Sequence, residues 1–240
     1  MGGPREPLVL LPRSGASLVL ARFAMRRIAW AAIPVALVLL AACGDGDGVR
    51  PGYSAAPAPP PAAGAAPWPL PSTPMALVRQ AGLTPATHEF FTYHVHAHLD
   101  AFVNGRHVQI PGGIGIDITD PGVHRGDTDG APAYGYIKLC PRPCISSLHT
   151  HDVTGVLHIE APARTRFTLG QFFREWGVRL DGSCVGGYCE PGTSVVVFVD
   201  GKRHRGNPAG IALAARQEIA LVIGSPPSSI PSTYRFPPGG

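Results

Sequence analysis

From Phe90 to Val103 the chain alternates with a period of two. Tyr93, Val95, Ala97, Leu99, Ala101 and Val103 fall on one side, and His94, His96, His98, Asp100 and Phe102 on the other. Successive side chains of a strand point to opposite faces, so this run predicts one long β-strand with an apolar face and an imidazole-bearing face. Asn104-Gly105 supplies a two-residue hairpin turn, and His107-Val-Gln-Ile110 returns along the strand. The fold must bury the apolar face. It must also satisfy three imidazoles in a row, which is costly in a core unless each finds a partner.

A second segment, Leu148-His-Thr-His-Asp-Val-Thr-Gly-Val-Leu-His-Ile-Glu160, carries His149, His151 and His158, so six of the ten histidines lie in two strand-like stretches. Neutral imidazole is the commonest protein metal ligand, and alternate positions aim several at one point. The preferred ligands are His94, His96, His149 and His151, with His98 and His158 as alternates. Asp152 and Glu160 are candidates to orient imidazole N–H groups or to act as a catalytic base. Imidazoles with a carboxylate nearby suit Zn(II) or Cu(II). Met75 is the one methionine beyond residue 25, which disfavours a methionine-rich Cu(I) carrier, and blue copper would require a thiolate such as Cys144.

Met25-Arg-Arg, an apolar run from Ile28 to Leu40 and then Leu40-Ala-Ala-Cys43 form a basic, apolar, small-residue leader. Leu40-Ala-Ala-Cys43 resembles the lipobox of bacterial lipoproteins. That resemblance implies cleavage before Cys43, a diacylglycerol on its sulfur, and a membrane-anchored chain facing the extracytoplasmic side. It also makes Met25 the expected start and residues 1–42 the leader. The apolar run is short for a membrane span of about 20 residues. Five of the 20 Lys and Arg and one of the 16 acidic residues precede Cys43, leaving 15 of each. A neutral mature chain offers no field for phosphate backbones, so no nucleic-acid partner is expected.

Residues 43–72 are rich in Ala, Pro and Gly and predict a disordered tether. A single β-rich domain is expected over 73–224, with a disordered tail over 225–240. Thr73 and Pro74 open a short helix that Gly82 closes. Thr168 and Gln171 form a capping box for the main helix, which runs through Phe172, Phe173 and Trp176 to Gly177. Val156 to Glu160 and Glu218 to Ile223 read as strands, and Thr193 to Asp200 is apolar enough to suggest a central one. The Gly-, Pro- and Asp-rich stretch 111–135 reads as a solvated loop, without the spacing of a calcium-binding EF-hand. The expected fold is α+β and β-rich, with antiparallel hairpins in a sheet and one main helix packed on it. Outside the cytoplasm, Cys140, Cys144, Cys184 and Cys189 favour two disulfides over a four-cysteine zinc site, with local and crossed pairings both open.

The arrangement His-x-His-x-His-Leu-x-x-Phe-x-Asn-Gly from His94, then Leu-His-Thr-His-Asp from Leu148, then Phe-Thr-Leu-Gly-Gln from Phe167, resembles bacterial and archaeal extracytoplasmic proteins of unassigned function. It implies the domain's limits and location and no chemistry. The metallo-β-lactamase, His-Glu-x-x-His and cupin patterns are not met, and no Gly-x-Ser-x-Gly elbow surrounds Ser146 or Ser147. Three functions compete: metal handling or delivery, a small hydrolytic or oxidative metalloenzyme at the same residues, and a metal-free adhesion or ligand-binding module.

Overall fold

The computed structural model describes residues 66–236. The leader, Cys43 and the tether as far as residue 65 lie outside the described residues, as do residues 237–240. The elements in chain order are α1 (Pro74–Gln80), β1 (Tyr93–Val103), β2 (Arg106–Val108), β3 (His124–Thr128), β4 (Ala131–Gly135), β5 (Leu148–His149) and β6 (Val156–Ala161). They continue with α2 (Leu169–Trp176), β7 (Cys184–Val185), β8 (Tyr188–Cys189), β9 (Val195–Val199), β10 (Lys202–Arg203), a 3-10 turn at Pro208–Gly210, and β11 (Glu218–Ile223). The chain is therefore strand-rich α+β, as expected.

Seven strands share one sheet in the order β10-β9-β11-β1-β6-β5, with β2 paired to β1. Three neighbours meet on β1. Tyr93 to His98 pairs antiparallel with β6, Ala101 to Val103 pairs antiparallel with β2, and His98 to Val103 runs parallel to β11. The sheet is mixed, where hairpin signals predict an antiparallel one. A hairpin turn reports only the strand that follows it, and nothing local encodes a pairing between strands so distant in sequence. The centre also differs: every residue of β11 is buried, whereas β9, the apolar run expected there, is mostly half-buried beside the two-residue β10.

The hairpin and helix signals operate as read. Asn104-Gly105 and Asp200-Gly201 both adopt left-handed φ at both positions, the type I′ geometry that suits strand twist. Thr168 and Gln171 cap α2 reciprocally, and Gly177 ends it in the left-handed region. Leu169, Phe172, Phe173 and Trp176 of α2 are buried against Ala97, Leu99 and Ala101 of β1, with Leu157 and Ile159 of β6 and Ile219 and Leu221 of β11. Two alanines on β1 leave room for this aromatic stripe.

The other sheet face is covered as well. Phe102, Ala220 and Val222 form an apolar patch with Phe198 and Ile230 against it. Residues 225–236 have no regular secondary structure, yet Ile230 packs there, Tyr234 stacks on His98 at 3.7 Å, and Phe236 is buried. Composition predicted a disordered tail over these residues; three large side chains between the prolines are enough to seat it. At the other end Trp68, assigned to the tether, is buried against Trp176.

The disulfides pair locally, Cys140 with Cys144 and Cys184 with Cys189. The first lies in a small apolar cluster of Ile116, Val123, Ile137 and Ile145 that supports the segment entering β5. In the loop before it, Asp117, Asp120 and Asp127 each accept a backbone N–H within a turn, and β3 and β4 form a hairpin at Asp129-Gly130. This hairpin lies within the stretch 111–135 read as a solvated loop, and β4 ends at Gly135.

Candidate metal centre

Strand register gathers the histidines. β1 and β6 set His94 opposite Glu160 and His96 opposite His158, and β6 and β5 set His158 opposite His149. Directly opposed residues of an antiparallel pair share a face, so three adjacent strands present five donors side by side. His151 lies just past β5 and closes the group.

The donor atoms are close. His94 Nε2 lies 2.9 Å from His96 Nε2, and each lies 3.2 Å from His158 Nδ1. His149 Nε2 is 3.3 Å from His151 Nε2. Around a tetrahedral ion with metal–nitrogen bonds near 2.0–2.1 Å, neighbouring ligand nitrogens stand about 3.3 Å apart. The observed spacings match the edges of such a shell.

Two of these rings are aimed from behind. His149 Nδ1 donates to the Ser146 carbonyl at 2.9 Å, and His151 Nδ1 donates to the Tyr134 carbonyl. A carbonyl only accepts, so both protons sit on Nδ1 and both Nε2 lone pairs face the group. Close approach fixes the first contact, since Ser146 N bonds to Gly115 O and a Cβ on Gly115 would lie 2.2 Å from the Leu148 carbonyl.

Glu160 completes the group. It is 1 % exposed; its Oε2 accepts from Phe90 N at 2.9 Å, while its buried Oε1 has no hydrogen-bond partner. That oxygen faces His94 Nε2 at 3.2 Å and His149 Nε2 and His158 Nδ1 at 3.6 Å. Burial pushes its carboxyl up to about 7, with the nearby Glu89 charge adding to the rise against the Phe90 hydrogen bond. Burial, then repulsion from neighbouring imidazoles, holds His94, His149 and His158 below the usual imidazole value and His96 at about 4. The rings are thus kept neutral, the form that coordinates metal. Among the described residues, His149, His151, His158 and Glu160 form one set of donors within 4.8 Å of one another, and His94, His96 and His158 another.

Five of the six predicted histidines therefore converge, with His158 at their centre although it was expected only as an alternate. His98 turns elsewhere. Its Nε2 donates to the Thr154 carbonyl and its Nδ1 meets Glu218 Oε2, both at 2.8 Å, beneath Tyr234. Asp152, expected as an orienter or base, caps a turn by accepting from Thr154 N and Oγ1. Sequence reasoning missed Glu89, whose buried Oε1 lacks a hydrogen-bond partner and lies 3.5 Å from His151 Nε2. It precedes β1 in irregular chain, and no periodicity marks it.

Glu175 was also missed. It sits fully buried on α2, where Ser146 Oγ donates to its Oε2 at 2.6 Å, and burial raises its carboxyl well above the ordinary value. The folded chain keeps this proton at pH values where the unfolded chain has lost it. The stability from the neutral form is complete below the ordinary carboxyl value and is lost as pH rises through the folded one. Glu175→Gln keeps an acceptor for Ser146 and carries no charge. The Tm of the parent should fall relative to this variant as pH rises above the ordinary carboxyl value. Parallel Tm–pH curves would refute the assignment.

In comparisons with family models, curated proteins and solved structures, nothing matches this chain.

Proposed function

We propose that the chain binds a divalent transition metal, Zn(II) or Cu(II), through this cluster and serves in metal handling or delivery at the cell surface. One observation carries the reading: imidazole nitrogens at coordination spacing around a buried carboxylate oxygen without a hydrogen-bond partner. Five clustered imidazoles and a buried carboxylate are costly to hold together without a cation among them. The abundance of protein donors favours holding a metal over catalysis, which keeps a coordination position free for substrate. His94, His151 and His158 are partly exposed, with side-chain values of 25 %, 22 % and 18 %, and give an ion a route in and out. A metal-free adhesion module would leave this group unexplained.

The full chain, expressed without a His-tag, should carry at least one equivalent of Zn or Cu by elemental mass spectrometry. The His94→Ala, His96→Ala, His149→Ala, His151→Ala variant should carry none. Equal metal in both, or none in the parent after reconstitution, would overturn the reading.

The lipobox supports anchoring at Cys43. Cys43→Ser should leave the membrane fraction after cell fractionation, while the parent stays in it and partitions into detergent. Retention of the serine variant would refute a lipid on this residue.

A further inference from the structure

We infer that the cluster is a two-ion centre in which Glu160 is shared; this rests on the metal-binding reading above. The donors outnumber one shell. A zinc site almost always takes four ligands, whereas five imidazoles and the carboxylates of Glu160 and Glu89 face this one region.

The distances divide them. His94 Nε2, His96 Nε2 and His158 Nδ1 make a triangle with edges of 2.9, 3.2 and 3.2 Å. His149 Nε2 and His151 Nε2 make a second edge of 3.3 Å, and Glu89 Oε1 stands 3.5 Å from His151 Nε2. Glu160 Oε1 lies between the two groups, 3.2 Å from His94 and 3.6 Å from His149. His158, whose donors also lie within 4.8 Å of those of His149, His151 and Glu160, is assigned to the tighter triangle; each group then counts three ligands and gains its fourth from the shared carboxylate. The two carboxylate oxygens that lack hydrogen-bond partners here, Oε1 of Glu89 and of Glu160, are the two that this division uses.

A separate group, His98 with Asp100 and Glu218, also has donors within 4.8 Å. Its imidazole is already engaged at both nitrogens, so it is not the second site. The test must tell these places apart.

The full chain would be titrated with Cu(II) alone, the bound metal counted by native mass spectrometry, and the spectrum recorded by electron paramagnetic resonance. Two equivalents should bind, with spin intensity below the copper content because neighbouring ions couple through the carboxylate. His149→Ala with His151→Ala, and His94→Ala with His96→Ala, should each bind one equivalent with full mononuclear intensity. Circular dichroism of the metal-free variants checks that they fold, and Glu160→Gln, nearly isosteric, should restore full spin intensity if two ions remain. One equivalent in the parent overturns the two-ion centre and leaves the metal-binding reading intact. Two uncoupled equivalents place the second ion elsewhere and also overturn it, whereas no binding overturns both.

Discussion

His158→Ala should abolish most of the metal-induced stabilisation that comes from the ion held by His94, His96 and His158, while leaving the metal-free fold in place. His158 lies opposite both His96 and His149 across neighbouring strands, and its Nδ1 is 3.2 Å from two other ring nitrogens. Removing a residue that merely orients a ligand costs about 10–100-fold in metal affinity, so removing a ligand from the middle of the group should cost at least ~100-fold. Free metal at a hundred times the dissociation constant stabilises a folded protein by about 2.7 kcal/mol, and a hundredfold weaker site leaves about 0.4 kcal/mol of that. The metal-free protein should change little. The ring is partly exposed, burial and its neighbours disfavour its charged form, and its loss relieves crowding among imidazoles. Melting with chelator and with excess Zn(II) separates the two effects, and His124→Ala, on an exposed position of β3, is the control. A His158→Ala variant with the parent's full metal-induced rise in Tm would remove this residue from the site.

The parts of this molecule that are legible in sequence are those whose cause is local. Alternation along β1, the Asn104-Gly105 and Asp200-Gly201 turns and the Thr168–Gln171 capping box all act over a few residues, and each appears where expected. The convergence of two histidine segments was foreseeable because period two puts His94 and His96 on one face. Which of His98 and His158 joined them was not. That choice depends on the β1–β6 register, which sets His96 against His158 and places His98 beyond that group, near Glu218 of β11. A one-residue shift would turn the imidazole of His158 into the core, and no local signal fixes the shift. Glu89 and Glu175 escaped notice for the same reason, since each matters through a partner far away in the chain. The tail was misread because proline content was weighed against regular structure; Ile230, Tyr234 and Phe236 need only a surface to cover, and the second face of the sheet provides it.

Trp68→Ala should cost about 3–5 kcal/mol, the usual effect of truncating a buried tryptophan. Composition places this residue in a tether, between prolines and among alanines. In the fold it is 2 % exposed, edge-on to Trp176 at 5.5 Å and to Tyr188 at 6.5 Å. Gly186 admits it: with φ at +54° and a hypothetical Cβ only 2.3 Å from Trp68 Nε1, any side chain there would displace the indole. A loss of this size is a large fraction of the roughly 5–15 kcal/mol that a domain has in total. Edge-to-face aromatic pairs add about 0.5–1.5 kcal/mol beyond their buried area, so Trp68→Ala and Trp176→Ala together should cost less than the sum of the two by that amount. A chain trimmed to begin at residue 73 should lose at least the stability lost in Trp68→Ala, because it loses the same anchor together with Leu70, which packs on the core. Urea denaturation of the three variants and the trimmed chain measures all of these terms. A Trp68→Ala effect within about 0.5 kcal/mol, the range of an ordinary surface substitution, would return residues 66–72 to the tether and move the domain boundary back to residue 73.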